Sequence, residues 1–134
     1  MAALLTELGA TPPPGQAMNE AAQELLEDPA SGAVFVADSE DGLVGILTTN
    51  WLSAIHIPGR YGLIQDVWVS PLARSNAIGA ALLAALFEQA GRLGITRIEV
   101  GLPKDSFPGL PATAAFYRAN GFTPVGPRMR VVLA

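Results

Sequence analysis

The chain contains no cysteine. A disulfide framework, a thiolate metal site and a cysteine nucleophile are thereby excluded. It has one histidine, His56, too few for the usual multi-histidine zinc site, so no metal is expected. Charged residues make up only 15% of the 134 residues and hydrophobic ones 50%, the reverse of the balance that keeps a chain disordered. Long apolar runs are missing too. The longest, Ala77 to Phe87, falls short of the roughly 20 residues that cross a bilayer. The N-terminus, MAALLTELG, lacks the basic start and apolar segment of a secretory signal. These absences point to a soluble, cytoplasmic protein with no membrane partner. The length suits one domain, 1–134.

What charge there is lies unevenly. Before Val67 stand nine acids (Glu7, Glu20, Glu24, Glu27, Asp28, Asp38, Glu40, Asp41, Asp66) and one base, Arg60. After it stand three acids (Glu88, Glu99, Asp105) and seven bases (Arg74, Arg92, Arg97, Lys104, Arg118, Arg128, Arg130). The first part therefore carries −8 and the second +4. A nucleic-acid binder would be basic, with aromatics among the cations, and no such cluster occurs. The asymmetry suits an anionic ligand on the second half and a cationic one on the first. For any single residue, a solvated surface charge is the simpler account.

Hydrophobic spacing divides the chain. Pro12-Pro13-Pro14 separates a short first helix from a second, where Met18, Ala21, Ala22, Leu25 and Leu26 recur at helical intervals until Asp28-Pro29. Ala33–Ala37 and Leu43–Thr49 read as strands joined by the turn Ser39–Gly42. Pro58-Gly59 predicts a turn in the arm that follows, where the chain doubles back. Leu63–Val69 is the next strand, stopped by Ser70-Pro71. From Ile78 the period changes: Ile78, Leu82, Leu83, Leu86, Phe87 and Ala90 share a helix face, and Gly94 suits the C′ position. Ile95–Leu102 predicts a strand. Pro111 opens a short helix that ends at Asn120-Gly121. Arg128–Leu133 alternates as a half-exposed strand does. The order α-α-β-β-β-α-β-α-β describes an α/β layered domain: a mixed, mostly antiparallel sheet with helices on both faces.

The stretch that carries chemistry is Val67–Leu83, where a strand runs through a tight loop into an amphipathic helix. The first helical N–H groups have no intrahelical partner, and the helix dipole adds positive character there. Small residues (Ser75, Ala77, Gly79, Ala80) let an anion approach the backbone, and Arg74 adds a positive charge. Together they form a phosphate cradle. It is not a Walker A loop or a dinucleotide fingerprint, whose spacings are absent.

These residues resemble the GNAT superfamily of acyl-CoA-dependent N-acyltransferases. Val69-Ser70-Pro71 followed by Arg74-Ser75-Asn76-Ala77-Ile78-Gly79 is similar to that family's V-x-P and R/Q-x-x-G-x-G/A pyrophosphate motif, with Ala77 in place of its first glycine. That replacement matters if the position needs φ > 0. Phe116-Tyr117-Arg118-Ala119-Asn120-Gly121-Phe122 looks like the family's second signature, F/L-Y-x-x-x-G-F. Leu110 stands where that signature often has asparagine. The hairpin Ala33–Thr49 also matches, and the likeness runs from Leu25 to Leu133. The family's usual first strand has no counterpart before the first helix.

The resemblance implies an acetyl-CoA-dependent N-acetyltransferase acting on a primary amine of a small molecule, such as an amino acid or a polyamine-like compound. The donor's arm would lie between Leu63–Val69 and Ile95–Leu102, pairing near Val67, Trp68 and Val69 like an added strand. Amides of Arg74, Ser75, Asn76, Ala77, Ile78, Gly79 and Ala80 would take the pyrophosphate. Tyr117 stands at the family's general-acid position; a core tyrosine packed on Phe122 is the structural alternative. Gln65 occupies the place of a common glutamate base and cannot serve as one, which leaves Asp66, His56 or water. Trp51 and Tyr61, with Gln65, are the acceptor-side candidates, as aromatic faces attract cations. Dimers are common in the family, and Val131-Val132-Leu133 offers an edge for one. A non-catalytic CoA-binding module or partner subunit with the same fold is the alternative reading, and a purely structural protein is a third.

Overall fold

The computed structural model describes residues 26–40, 42–74 and 77–133. The first expected helix and all of the second before Leu26 lie outside them, as does any strand preceding those helices. Tertiary contacts divide the chain into two compact units, one ending at Val100 and the other beginning at Gly101.

The first unit holds a four-stranded sheet in the order β1-β2-β3-β4. Its strands are β1 (Gly32–Ser39), β2 (Gly42–Ala54), β3 (Ile57–Val69) and β4 (Ile98–Val100). β1 to β2 and β2 to β3 pair antiparallel, while β3 to β4 pair parallel. The mixed, mostly antiparallel sheet expected from the sequence is therefore present. Leu26 and Glu27 are helical, and the chain then turns on Asp28, whose carbonyl accepts from the Ser31 N–H at 3.0 Å.

Helix α1 (Ile78–Arg92) lies against β1, β2 and β3. The face anticipated from spacing is the one it buries: Leu82, Leu83, Leu86 and Ala90. Each large side chain among them contributes about 1.5–3 kcal/mol of transfer free energy. Gly45 on β2 lets the helix approach. A Cβ there would stand 3.0 Å from Ile78 Cγ2 and 3.2 Å from Leu82 Cδ1. The helix ends in a Schellman motif. The Gly94 N–H donates to the Gly91 carbonyl at 3.1 Å, and the Ile95 N–H to the Ala90 carbonyl at 2.8 Å. Gly94 takes the left-handed φ of 72° that this motif requires.

Three expectations need correction. The β2–β3 hairpin turns at Ile55-His56, not at Pro58-Gly59. Ala54 pairs with Ile57 and Ser53 with Arg60, so Pro58 and Gly59 form a bulge inside β3, with Gly59 at φ 73°. The expected strand Ile95–Leu102 shrinks to Ile98–Val100, because Ile95 is committed to capping α1. Arg128–Leu133 forms no strand. Alternation suits a half-buried strand only where a ladder partner exists, and here Met129, Val131 and Leu133 remain exposed.

In the second unit, helix α2 (Leu110–Ala119) begins with Pro in its first turn and also ends in a Schellman motif. The Gly121 N–H donates to the Arg118 carbonyl at 3.1 Å, and the Phe122 N–H to the Tyr117 carbonyl at 3.0 Å. Gly121 has φ 93°. The Arg128 side chain lies against Gly101, in the space a Cβ there would take.

Candidate active site

The site grows from the end of β3. The parallel pairing with β4 covers only Gly62 with Ile98, Leu63 with Glu99 and Ile64 with Val100. Beyond Ile64, the β4-facing edge of β3 has no strand beside it among the described residues. Gln65 to Val69 therefore border a gap.

The direction of the backbone groups along that edge follows from two hydrogen bonds. The Gly62 N–H points toward β4's side, donating to the Arg97 carbonyl at 2.9 Å. The Ser70 N–H points the other way, to the Val44 carbonyl of β2 at 2.8 Å. In a regular strand these residues, an even number apart, would face the same edge. They do not, because one extra residue intervenes. Thr48 pairs with Asp66 and Thr49 with Ile64, so Gln65 is skipped. It is the extra residue of a β-bulge, a feature that re-aims whatever follows it. Past the bulge, Trp68 faces β2, whereas Val67 and Val69 direct their amides into the gap. An extended ligand arm would find a strand edge there.

The helix start lies next to this edge. Val69 pairs with Gly45, and Ile78 packs over Gly45. Gly45 thus brings the end of β3 and the first turn of α1 to one place. Between them, Pro71–Ala73 forms a short 3-10 helix. Arg74 donates from Nε to the Val69 carbonyl at 3.1 Å, which fixes its guanidinium beside the loop. Ser75 and Asn76, expected in the phosphate cradle, lie outside the described residues. Ala77 caps α1 at φ 58° and ψ 22°, and among the described residues it is the one non-glycine with positive φ. The left-handed region costs an L-residue about 1–2 kcal/mol. Among the described residues no side chain caps this helix end, and a helix start of this kind suits an anion. Ala77→Gly should relieve the strain. Glycine's larger unfolded-state entropy offsets part of the gain, leaving a rise in melting temperature of about 2–5 °C, read by calorimetry.

The remaining candidates separate. Asp66 is half-buried, and its Oδ2 accepts from Thr48 Oγ1 at 2.6 Å. Gln65, beside it, is exposed. His56 sits exposed at the hairpin tip, nine residues from Gln65 and about 30 Å away along β3. The structure does not bring it to the bulge. Trp51 is only 5% exposed and packs on Gly62, so its ring fills the core. Tyr61 and Trp68 are half-buried on β3. In the second unit, Tyr117 is 7% exposed. Its ring lies 5.1 Å from that of Phe116 and 5.2 Å from that of Phe122, both edge to face. Burial pushes its phenol up to about 12. Sequence reasoning missed Thr48 and Thr49. Adjacent hydroxyls inside an apolar strand were the available signal, because buried hydroxyls need partners.

Residues 30–124 match the family model of the acetyltransferase (GNAT) domain. The chain belongs to the GNAT acetyltransferase family. It is thus an acetyltransferase, of a family that uses acetyl-CoA. Solved structures with the GNAT fold resemble it across most of their length. An aminoglycoside acetyltransferase from an uncultured soil metagenomic sample superposes with a TM-score of 0.79 at 19% identity, covering 99% of this chain and 87% of that one. A transcriptional regulator from Bacillus halodurans gives 0.76 at 22% identity, covering 92% and 77%. AAC(6')-Iy, in complex with the bisubstrate analogue CoA-S-monomethyl-acetylneamine, gives 0.74 at 16% identity, covering 90% and 81%. At these identities the likeness is one of fold. No curated protein sequence matches the chain significantly. Among the described residues, no helix of this GNAT chain is long and apolar enough to cross a membrane.

Proposed function

We propose that the protein transfers an acetyl group from acetyl-CoA to the primary amine of a small cationic molecule, by direct attack of the amine on the thioester. The observation that carries this reading is the open edge of β3, whose Val67 and Val69 amides face the gap while its end abuts the start of α1. One arm paired along the edge and one diphosphate at the helix start would use both features.

Acetyl-CoA supplies an acyl carbon already activated as a thioester. The chain's residues supply position and protons. The Val67 amide and carbonyl hold the arm. The Val69 N–H donates to the thioester oxygen as negative charge gathers there. The first-turn amides of α1 and Arg74 hold the diphosphate. Asp66 is the carboxylate beside the bulge and takes the amine's proton, directly or through water. Tyr117, on the family's second signature, donates to the departing sulfur. The proton count balances: the amine loses one proton, the sulfur gains one, and a C–N bond replaces C–S.

The acceptor reading rests on charge. Nine acids and one base precede Val67, a field that favours a cation. Gln65 and Tyr61 are the side chains we assign to the acceptor. Aminoglycosides belong with amino acids and polyamines among the candidates, because two of the neighbouring structures act on or carry such amines. We also assign the protein to the cytoplasm, as a single catalytic domain that forms a homodimer through the exposed end Val131-Val132-Leu133.

A thiol-release assay with acetyl-CoA across amino acids, polyamines, aminoglycosides and peptide N-termini tests the proposal. Turnover is expected with at least one small amine, and silence across the panel would refute it. Binding alone has its own signature. Acetyl-CoA at 100 times its Kd should stabilise the protein by about 2.7 kcal/mol, visible as a higher melting temperature.

A further inference from the structure

Two consecutive threonines on β2 face the bulge, and both are buried: Thr48 is 8% exposed and Thr49 0%. Successive side chains of a strand project to opposite faces, so the pair reaches β3 from two sides. Thr48 Oγ1 donates to Asp66 Oδ2 at 2.6 Å. Thr49 Oγ1 donates to the Leu63 carbonyl at 3.0 Å. One bond falls on each side of Gln65, the extra residue. Each does something a regular ladder does not need. The Thr49 hydroxyl ties β2 to the Leu63 carbonyl, two residues before the interruption. The Thr48 hydroxyl anchors the first residue beyond the interruption.

We infer that Thr48 and Thr49 are positioning residues for the acyl donor: they pin the Gln65 bulge, and the bulge in turn aims the Val67 and Val69 amides into the gap. The alternative state is a β3 that closes up by one residue. Its ladder to β2 would then be continuous, but Val67 and Val69 would turn toward β2 and Trp68 toward the gap. That state gives the arm no matching row of donors and acceptors. In the bulged state the two hydroxyls have partners; in the closed-up one they lose them inside the core, where an unpartnered hydroxyl is unfavourable. The threonine pair thus biases β3 toward the form that binds. This rests on the reading that the Val67–Val69 edge receives the donor.

The test is calorimetric titration of the full chain with coenzyme A, with melting temperature measured alongside. Valine keeps the threonine shape and removes the hydroxyl. Thr49→Val and Thr48→Val are each expected to weaken coenzyme A binding about tenfold, and Thr49→Ser to stay within about threefold of the parent. A purely structural role would lower the melting temperature of the valine variants and leave the Kd of the folded protein alone. Parental Kd in both folded valine variants overturns the inference, as does a serine variant as weak as the valine one. If Thr49→Val does not fold, Thr48→Val, on the less buried residue, decides. A parent chain that does not bind coenzyme A at all would bring down the functional reading first, and this inference with it.

Discussion

Tyr117→Phe should lower turnover by about 10²-fold or more, the usual size of a general acid's contribution, and leave coenzyme A affinity nearly unchanged. The substitution removes one oxygen and keeps the ring. The ring is what Phe116 and Phe122 hold, at 5.1 and 5.2 Å, so the Schellman end of α2 survives. Loss of rate without loss of stability or cofactor binding therefore separates the proton-donor role from the packing role. A variant with parental turnover would leave Tyr117 only its place among the rings. The raised phenol also shapes the pH profile. Its ordinary value is 10.0 and burial lifts it to about 12, so the donor keeps its proton throughout the neutral and mildly alkaline range. A thiol has a pKa of about 8.5, so this phenol is a far weaker acid. In the proposed role, such a phenol would donate a hydrogen bond to sulfur while charge is still developing, before releasing its proton. A loss of rate below about pH 10 must then come from another group. The same shift is linked to stability. The folded state holds the proton more tightly than the unfolded chain, so this contribution is complete below pH 10.0 and is lost as pH rises toward about 12. Unfolding midpoints at pH 9 and pH 11 would read it.

The second large effect lies in the core of the first unit. Gly62→Ala should destabilise the fold by about 1–3 kcal/mol, the cost of overpacking, and lower the melting temperature by about 5–10 °C. The added Cβ would stand 2.8 Å from Ile98 Cδ1 and 2.8 Å from Trp51 Cζ3. The Trp51 ring does not yield easily, and Ile98 gives only at the end of its side chain. Trp51 is buried, and Ile98 belongs to the strand paired with Gly62. Gly62 is also the first rung of the three that join β3 to β4. That rung is the one farthest from the gap, so the loss should show in stability more than in coenzyme A binding. Trp51→Phe removes the nearer ring edge. In that background the alanine should cost less than it does alone, because contacting residues couple.

The gain from relieving Ala77 and the loss from filling Gly62 show different limits of what spacing reveals. Both positions hold small residues, and nothing local marks the first as strained or the second as crowded. Ala77 could be read as a glycine replacement because the motif around it is strong. Its φ of 58° came only with the loop that carries it. Gly62 looks like one more glycine after a turn, and its role depends on Trp51 and Ile98, remote in sequence. The turn at Ile55-His56 was misplaced for a related reason. Pro58-Gly59 carries the usual composition of a turn, but the pairing of Ser53 with Arg60 absorbed it as a bulge.

The sequence by itself determined the cores of the three antiparallel strands, the helix face at Leu82, Leu83 and Leu86, both glycine-terminated helix ends and the two family signatures. These depend on local period, conformational preference and short-range spacing, which the order of residues encodes directly. Only the tertiary structure decided the short reach of β4, the skipped Gln65, the resulting aim of Val67 and Val69, and the threonine pair behind them. Strand register is a property of two segments at once. An extra residue in one becomes visible only when the other is laid beside it.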